Sequence, residues 1–311
     1  MIVSADERVI ISHMGWVDHG AIWLLRVDDG DPRPVGLGEA QYLRLREGVD
    51  DFFSAAHYFS GELRRVSVHR ISAPELVVAQ LSLERQSVHL EGDKSAWGSV
   101  PLSYTGYLPQ GTIGAAGYYL VRVRGGDAEV QALTWFNDDS YDLGYQTVLD
   151  PTDVPGTDLV IIPIQRCSQP VLFDAATGTV VRELTLANRY GNPTVVLRPK
   201  VNEAWVIDYD TLLRLDMADW SVKDKLLIQP DRKGVGRFVG ELGFTLDNAI
   251  CAVARPYSGD VVAIDTKTFR LTQQVTLGRQ PLDVATLEDR RVFARDWQTG
   301  DLLFGKLDQP R

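Results

Sequence analysis

Cysteine is nearly absent: 311 residues contain only Cys167 and Cys251. Two thiols cannot supply the disulfide framework of a small secreted domain. Each lies in or beside an apolar run, so both are expected to be buried free thiols. Histidine is scarce and unevenly placed, with His13, His19, His57, His69 and His89 all in the first 89 residues. Basic charge is short as well. Lys and Arg number 32 against 42 Asp and Glu, for a formal net charge of −10. A duplex-binding surface needs a cationic face, so no nucleic acid partner is expected. No stretch approaches the roughly 20 apolar residues of a membrane helix, and no membrane partner is expected. The start, Met1 to Arg8, has neither the positive n-region nor the continuous apolar h-region of a signal peptide. A cytoplasmic protein follows as the expectation. Helical periodicity is nearly absent too, while the 44% hydrophobic content is ample for a large core.

Short β-branched and aromatic runs recur in place of helices, divided by Gly, Asp, Asn and Pro. The clearest unit is a hairpin. One copy runs from Pro170 through Phe173-Asp174-Ala175-Ala176-Thr177-Gly178 to Leu186, and another from Val261 through Ile264-Asp265-Thr266-Lys267-Thr268 to Leu277. Leu213-Arg214-Leu215-Asp216-Met217-Ala218-Asp219-Trp220 begins a third. In each, an Asp opens the turn, where its carboxylate can accept backbone N–H bonds. The segment after the hairpin repeats as well. Pro193 and Pro281 stand 88 residues apart, two units of 44. A four-stranded, WD40-like propeller blade has about that period.

Ile264-Asp265-Thr266-Lys267-Thr268, followed by Gly278, Pro281 and Val284, resembles the repeat of the YVTN family of β-propellers. The resemblance covers roughly residues 140–307. It implies a propeller fold and says little about activity, because propellers host unrelated functions.

In the same register, Tyr42–Glu47, Phe52–Tyr58, Glu62–Arg70 and Glu75–Leu83 read as one blade, and Ser87–Glu91, Ser103–Leu108, Tyr118–Arg124 and Glu129–Trp135 as another. Arg8–His13, Ala21–Val27 and Arg33–Leu37 form part of the first blade, and residues 279–307 show three strands. A ring leaves no exposed edge only if its ends meet. The expectation is therefore one all-β domain over residues 1–311, a single β-propeller of seven four-stranded blades closed by strands from both termini. Six blades is the alternative, if the first fragment merely completes the last blade. Residues 38–48 admit a short helix, but the Leu43/Leu45 alternation favours a strand.

In a propeller the loops between second and third strands share a face with the loops that lead into each new blade. That top face surrounds the channel mouth. Its expected ligand-binding residues are His13, Trp16, Asp18 and His19 in the first loop, His57 and Tyr58 in the second, and Arg166 in the fourth. Later loops add Tyr209, then Arg255 and Tyr257, then Arg295, Asp296 and Trp297. Aromatics mixed with both charge signs suit a polar ligand with an apolar part. Each also has a purely structural explanation, because Asp forms turns and aromatics wedge between blades.

Catalytic and cofactor motifs are missing. There is no Gly-x-Ser-x-Gly elbow, and Lys233-Gly234-Val235-Gly236-Arg237 is neither a Walker loop nor a dinucleotide motif. The acidic loop Asn137-Asp138-Asp139-Ser140-Tyr141-Asp142 lacks EF-hand spacing. His13, His19 and His57 do not have a strong ligand spacing, so no metal and no cofactor are expected. Two functions compete: a platform binding a protein, peptide or small molecule on the top face, and a propeller enzyme, metal-assisted or not, acting at the same channel mouth.

Overall fold

Among the described residues every regular element is a strand or a single 3₁₀ turn. The structure, a computed structural model, describes the strand backbones between residues 2 and 148. Side chains are described for residues 152–163, 170–184, 186, 194–228 and 239–308, together with Ile10 and residues 25–27. The chain packs as two units, Ile2–Pro151 and Thr152–Arg311.

In the first unit, β1 (Ile2–Val3), β2 (Val9–His13), β3 (Ile22–Arg26) and β4 (Pro32–Val35) pair in that order as one antiparallel sheet. A second antiparallel sheet is β5 (Tyr42–Leu45), β6 (Asp51–His57), β7 (Arg64–Arg70) and β8 (Val77–Ser82). These are the strands expected from the alternation, and β5 settles the helical alternative for residues 42–45 in favour of a strand. The third sheet has the order β11 (Asp127–Leu133), β10 (Tyr118–Arg124), β9 (Ala96–Pro101). Strand β9 falls between the two segments, Ser87–Glu91 and Ser103–Leu108, that the sequence suggests; both of those lie outside the described residues. A short β12 (Thr147–Val148) follows.

The second unit repeats the design. Its first sheet has the order β13 (Thr152–Asp153), β14 (Leu159–Ile162), β16 (Val171–Asp174), β17 (Thr179–Glu183); a short β15 (Ile164–Gln165) lies in the connection from β14 to β16 and is not part of that sheet. Next come β18 (Thr194–Arg198), β19 (Glu203–Asp208), β20 (Thr211–Asp216) and β21 (Val222–Leu227). The third is β22 (Leu242–Phe244), β23 (Ile250–Arg255), β24 (Asp260–Asp265) and β25 (Arg270–Thr276). The last, β26 (Pro281–Thr286), β27 (Arg291–Asp296) and β28 (Leu302–Lys306), has three strands. The repeated hairpin is thus the third-to-fourth strand connection.

The Asp that opens each hairpin works as its position predicts. Asp174 Oδ1 accepts from Ala176 N at 2.8 Å, Asp216 Oδ1 from Ala218 N at 2.9 Å, and Asp265 Oδ1 from Thr268 N at 2.7 Å. The fifth residue takes a left-handed backbone. It is Gly178 (φ 71°) in one copy but Trp220 (φ 58°) and Phe269 (φ 53°) in the others. An aromatic there costs backbone strain. Both rings are buried between sheets, which offsets that cost.

The core lies between consecutive sheets. Because side chains alternate along a strand, each inner strand serves two neighbours. Ala204 and Val206 of β19 pack with Ile161, Leu172 and Leu184 of the sheet before. Trp205 and Ile207 of the same strand pack with Cys251, Val253, Val262 and Ile264 of the sheet after. Ala252 and Ala254 of β23, with Val261 and Ala263 of β24, meet Val284, Val292 and Ala294 beyond. A strand buried on both faces reads as a continuous apolar run, as Ile250-Cys251-Ala252-Val253-Ala254 does. Fully burying one aliphatic side chain contributes about 1.5–3 kcal/mol.

Long polar side chains stitch neighbouring sheets at their rims. Arg182 donates to Asp219 O at 2.5 Å, Arg198 Nη2 to Asn248 O at 3.2 Å, and Gln273 to Asp308 O at 2.8 Å. Among the described glycines the tightest approach is at Gly240, where a Cβ would lie 2.2 Å from Leu282 O. The next residue, Glu241, donates its N–H to that same carbonyl at 2.7 Å.

Candidate functional site

The second-to-third hairpins of the last two sheets, together with the loop between those sheets, form one laced patch. In residues 255–260 the chain makes a single 3₁₀ turn, Pro256–Ser258. Pro256 suits the start of such a turn and Gly259, at φ 68°, its left-handed end. Residues 296–301 are shaped by Asp296. Its Oδ1 accepts from Gln298 N at 2.9 Å and Thr299 N at 2.8 Å, and its Oδ2 from Gln280 N at 2.9 Å. The intervening loop is bonded to both. Leu277 N and Gly278 N donate to Gly259 O at 2.8 and 3.0 Å, and Trp297 N donates to Gln280 O at 2.8 Å. An Arg279–Asp301 ion pair and an Arg279 Nη1 bond to Thr299 Oγ1 at 3.3 Å close the outer side.

Beneath the loops are two buried ion pairs. Arg255 and Asp260 stand opposite one another in the β23–β24 register. Arg255 Nε donates to Asp260 Oδ1 and Nη2 to Oδ2, both at 2.7 Å, while Nη1 donates to Ile228 O at 3.1 Å. Gln274 Nε2 adds a bond to Asp260 Oδ2 at 2.5 Å. Arg295 Nε donates to Asp283 Oδ2 at 2.6 Å across β27 and β26. Burial works against the Arg295 charge, but Asp283, Glu241 and Asp296 outweigh it and push its pKa up. Burial likewise raises Asp296, yet the amides of Gln280, Thr299 and Gln298 prevail and hold its carboxyl below the usual carboxylate range.

Tyr257 and Trp297 stand above this frame, 42% and 40% exposed. Their rings meet edge to face, with centroids 6.2 Å apart and planes at 87°.

Of the expected site residues, the structure brings Arg255, Tyr257, Arg295, Asp296 and Trp297 into this one patch. Only the two aromatics present large exposed surface; the two guanidiniums face inward onto carboxylates, and Asp296 holds its turn. Tyr209 is half-buried at φ 61°, and its carbonyl accepts from Val239 N at 3.0 Å. His13 and His57 end strands β2 and β6, with their side chains outside the described residues. Trp16, Asp18, His19, Tyr58 and Arg166 also lie outside them, as does Cys167. Among the described residues, no group of three or more His, Cys, Asp or Glu is placed to hold a metal ion. No described helix is long and apolar enough to cross a membrane.

One cluster has no counterpart in the sequence reading. Glu203 accepts from Arg198 Nη1 at 2.9 Å and Trp205 Nε1 at 3.0 Å, and lies 3.6 Å from Arg214 Nη1. Trp205 meets Phe244 and Phe269 edge to face at 5.1 and 4.9 Å, and the Arg198 guanidinium covers both Trp205 and Phe244. The only hint in the sequence is Arg198 and Glu203 flanking a four-residue turn.

No family model matches the chain, and no curated protein matches it in sequence. Solved structures do match. The β-propeller domain of Cps50 (Swd1) from Myceliophteria thermophila superposes with a TM-score of 0.67 at 12% identity, over 99% of this chain and 95% of that one. A chain of the mitotic checkpoint complex gives 0.63 at 8% identity, over 97% and 84%. The periplasmic gluconolactonase PpgL of Pseudomonas aeruginosa gives 0.63 at 13% identity, over 96% and 94%. The fold is that of a β-propeller, and at these identities the likeness extends to the fold alone.

Proposed function

We propose that this chain is a protein-binding β-propeller that holds its partner on loops 255–260, 277–281 and 296–301. In this reading residues 1–311 form one domain of seven blades, closed by strands from both ends of the chain. Seven successive antiparallel sheets of three or four strands among the described residues support that number. We also infer that Tyr209, His13, Trp16, Asp18, His19, His57, Tyr58 and Arg166 contribute to ligand binding. The setting is cytoplasmic, which subcellular fractionation would check.

The observation that carries the reading is the exposed Tyr257–Trp297 pair on a rigid frame. Aromatic anchors at the centre of a patch dominate interface energetics, and a pre-ordered surface loses little entropy on binding. Membership of one structural neighbour in a complex, as its name states, agrees with this use of the fold. The test is quantitative affinity capture from the source organism, comparing the natural chain with a Tyr257→Ala/Trp297→Ala double variant. The double variant is expected to lose specific partners while keeping its circular dichroism and Tm. Retention of the whole partner set would overturn the proposal. Collapse of the fold would make the rings packing wedges instead.

A further inference from the structure

We propose that the outer edge of β28 takes an extended, uncharged segment of a protein partner as a fourth strand. This surface goes beyond the loops proposed above and depends on neither of their aromatics. In the second unit three sheets have four strands, whereas the last stops at β28. No described strand takes the fourth place, and β1 is paired with β2. The register shows what that edge leaves open. Asp296 N donates to Asp301 O at one end of the β27–β28 pair, and Leu307 N to Arg290 O at the other. Bonded and unbonded pairs alternate in an antiparallel ladder. Leu303 and Gly305 therefore turn their main-chain groups to β27, while Leu302, Phe304 and Lys306 turn theirs outward.

Open edges are normally guarded by bulges and charge, and the fourth strands of this unit are. The β16–β17, β20–β21 and β24–β25 pairings each carry a register shift. Arg182 and Glu183 stand on β17, Lys223, Asp224 and Lys225 on β21, and Arg270, Thr272, Gln273 and Gln274 on β25. The β27–β28 pairing runs without a shift, and Lys306 is the only charge on β28. Its side chains set the chemistry of the occupant. Phe304 is 61% exposed beside Phe293, with ring centroids 5.4 Å apart. On the other face Gly305 leaves its place to apolar neighbours: a Cβ there would lie 2.7 Å from Val275 Cγ1 and 2.8 Å from Leu277 Cδ2. An incoming strand meets apolar surface on both sides, which favours a β-branched or aromatic run. A second copy of the chain would bring another net charge of −10 and be repelled; an uncharged segment meets no such barrier. The chain leaving β28 is held elsewhere, since Leu307 is buried and Asp308 O accepts from Gln273 Nε2 at 2.8 Å. Main-chain bonds supply affinity in such strand addition, and alternate side chains supply selectivity.

The experiment uses the full chain and three fluorescein-labelled peptides, read by fluorescence anisotropy. The first has a valine–threonine–phenylalanine–threonine–valine core between glycine–serine flanks. The other two keep every side chain but carry N-methyl groups on one or the other alternate set of core amides. The unmodified peptide is expected to bind. Of the methylated pair, only the one whose methyl groups turn away from β28 should still bind. Lys306→Pro removes one outward N–H and no bond to β27, and should weaken binding about fivefold, the worth of one net hydrogen bond. Phe304→Lys, which places a guarding charge on the edge, should weaken it about tenfold. Circular dichroism checks that both variants fold, and the methylated pair carries the test if either does not. Failure of the unmodified peptide to bind, equal binding by all three peptides, or unchanged binding by folded Lys306→Pro would overturn the proposal. So would a dimer in sedimentation velocity of the chain alone that Phe304→Lys disperses, because the edge would then hold a second copy. None of these results bears on the partner set captured through Tyr257 and Trp297, so the two proposals fail separately.

Discussion

Asp296 and Arg255 are neighbours in the candidate patch but differ in how they could be known. Asp296 acts on residues two and three positions away. Such local side-chain-to-backbone bonding belongs to the Asp-opened turn and is legible from sequence. Arg255 acts on Asp260 across a hairpin and on Ile228, just past the end of β21 in the preceding sheet. Whether an arginine beside a loop points out to a ligand or in to a carboxylate depends on strand register, which spacing alone leaves open. Replacing Asp296 by Ala is expected to cost about 1–2 kcal/mol in urea unfolding, comparable to losing a good helix cap. Arg255→Ala should cost more, about 3–5 kcal/mol, because it leaves the Asp260 charge buried without its partner. The double change Arg255→Met/Asp260→Leu should recover most of that loss. Cys251 is fully buried, and burial pushes its thiol pKa up. It should resist alkylation in the native protein at pH 8 and react only on unfolding, which mass spectrometry of the labelled chain would check.

Among elements, the third-to-fourth strand hairpins were the easiest to read, since the Asp, the turn length and the flanking apolar runs recur together. Strand β9 was the hardest. It contains Gly98 and ends on Pro101, residues that ordinarily mark the edge of a strand rather than its body. Strand β1 has two residues, too few for any alternation to show. The close passage of Gly240 by β26 is invisible in sequence, because a glycine before a strand usually signals only a turn. Gly240→Ala would drive a methyl into Leu282 O. It is expected to lower Tm by several degrees, with the loss read by differential scanning calorimetry. The Glu203–Trp205 cluster went unread for a related reason. Arg198, Glu203, Trp205 and Arg214 share one sheet, and Phe244 of β22 and Phe269 of the β24–β25 turn join them only after the next sheet stacks on it.

Over the whole chain, the sequence carried the propeller class and the strand pattern, while the placement of the buried charges came only with the structure. Many hydrogen-bonded carboxylates have depressed pKa values. Amide bonds, led by that from Ala176, lower Asp174; the Lys223 ammonium leads for Asp216, and the Thr268 hydroxyl for Asp265. A carboxylate with a lower pKa folded than unfolded stabilises the fold above its ordinary range and loses that contribution as pH falls through the folded value. The urea midpoint is therefore expected to hold from neutrality to about pH 5 and to fall steadily below about pH 4. A midpoint that rose on acidification would contradict these assignments. The lacing of three loops by main-chain bonds and one carboxylate has a further consequence. The atoms that hold the frame are not those that face outward, since the Trp297 N–H is bonded whatever ring it carries and Tyr257 rides on a turn set by proline and glycine. Surface identity and loop geometry are therefore separately adjustable. Positions 257 and 297 could accept new side chains, and with them new partners, without redrawing the backbone beneath.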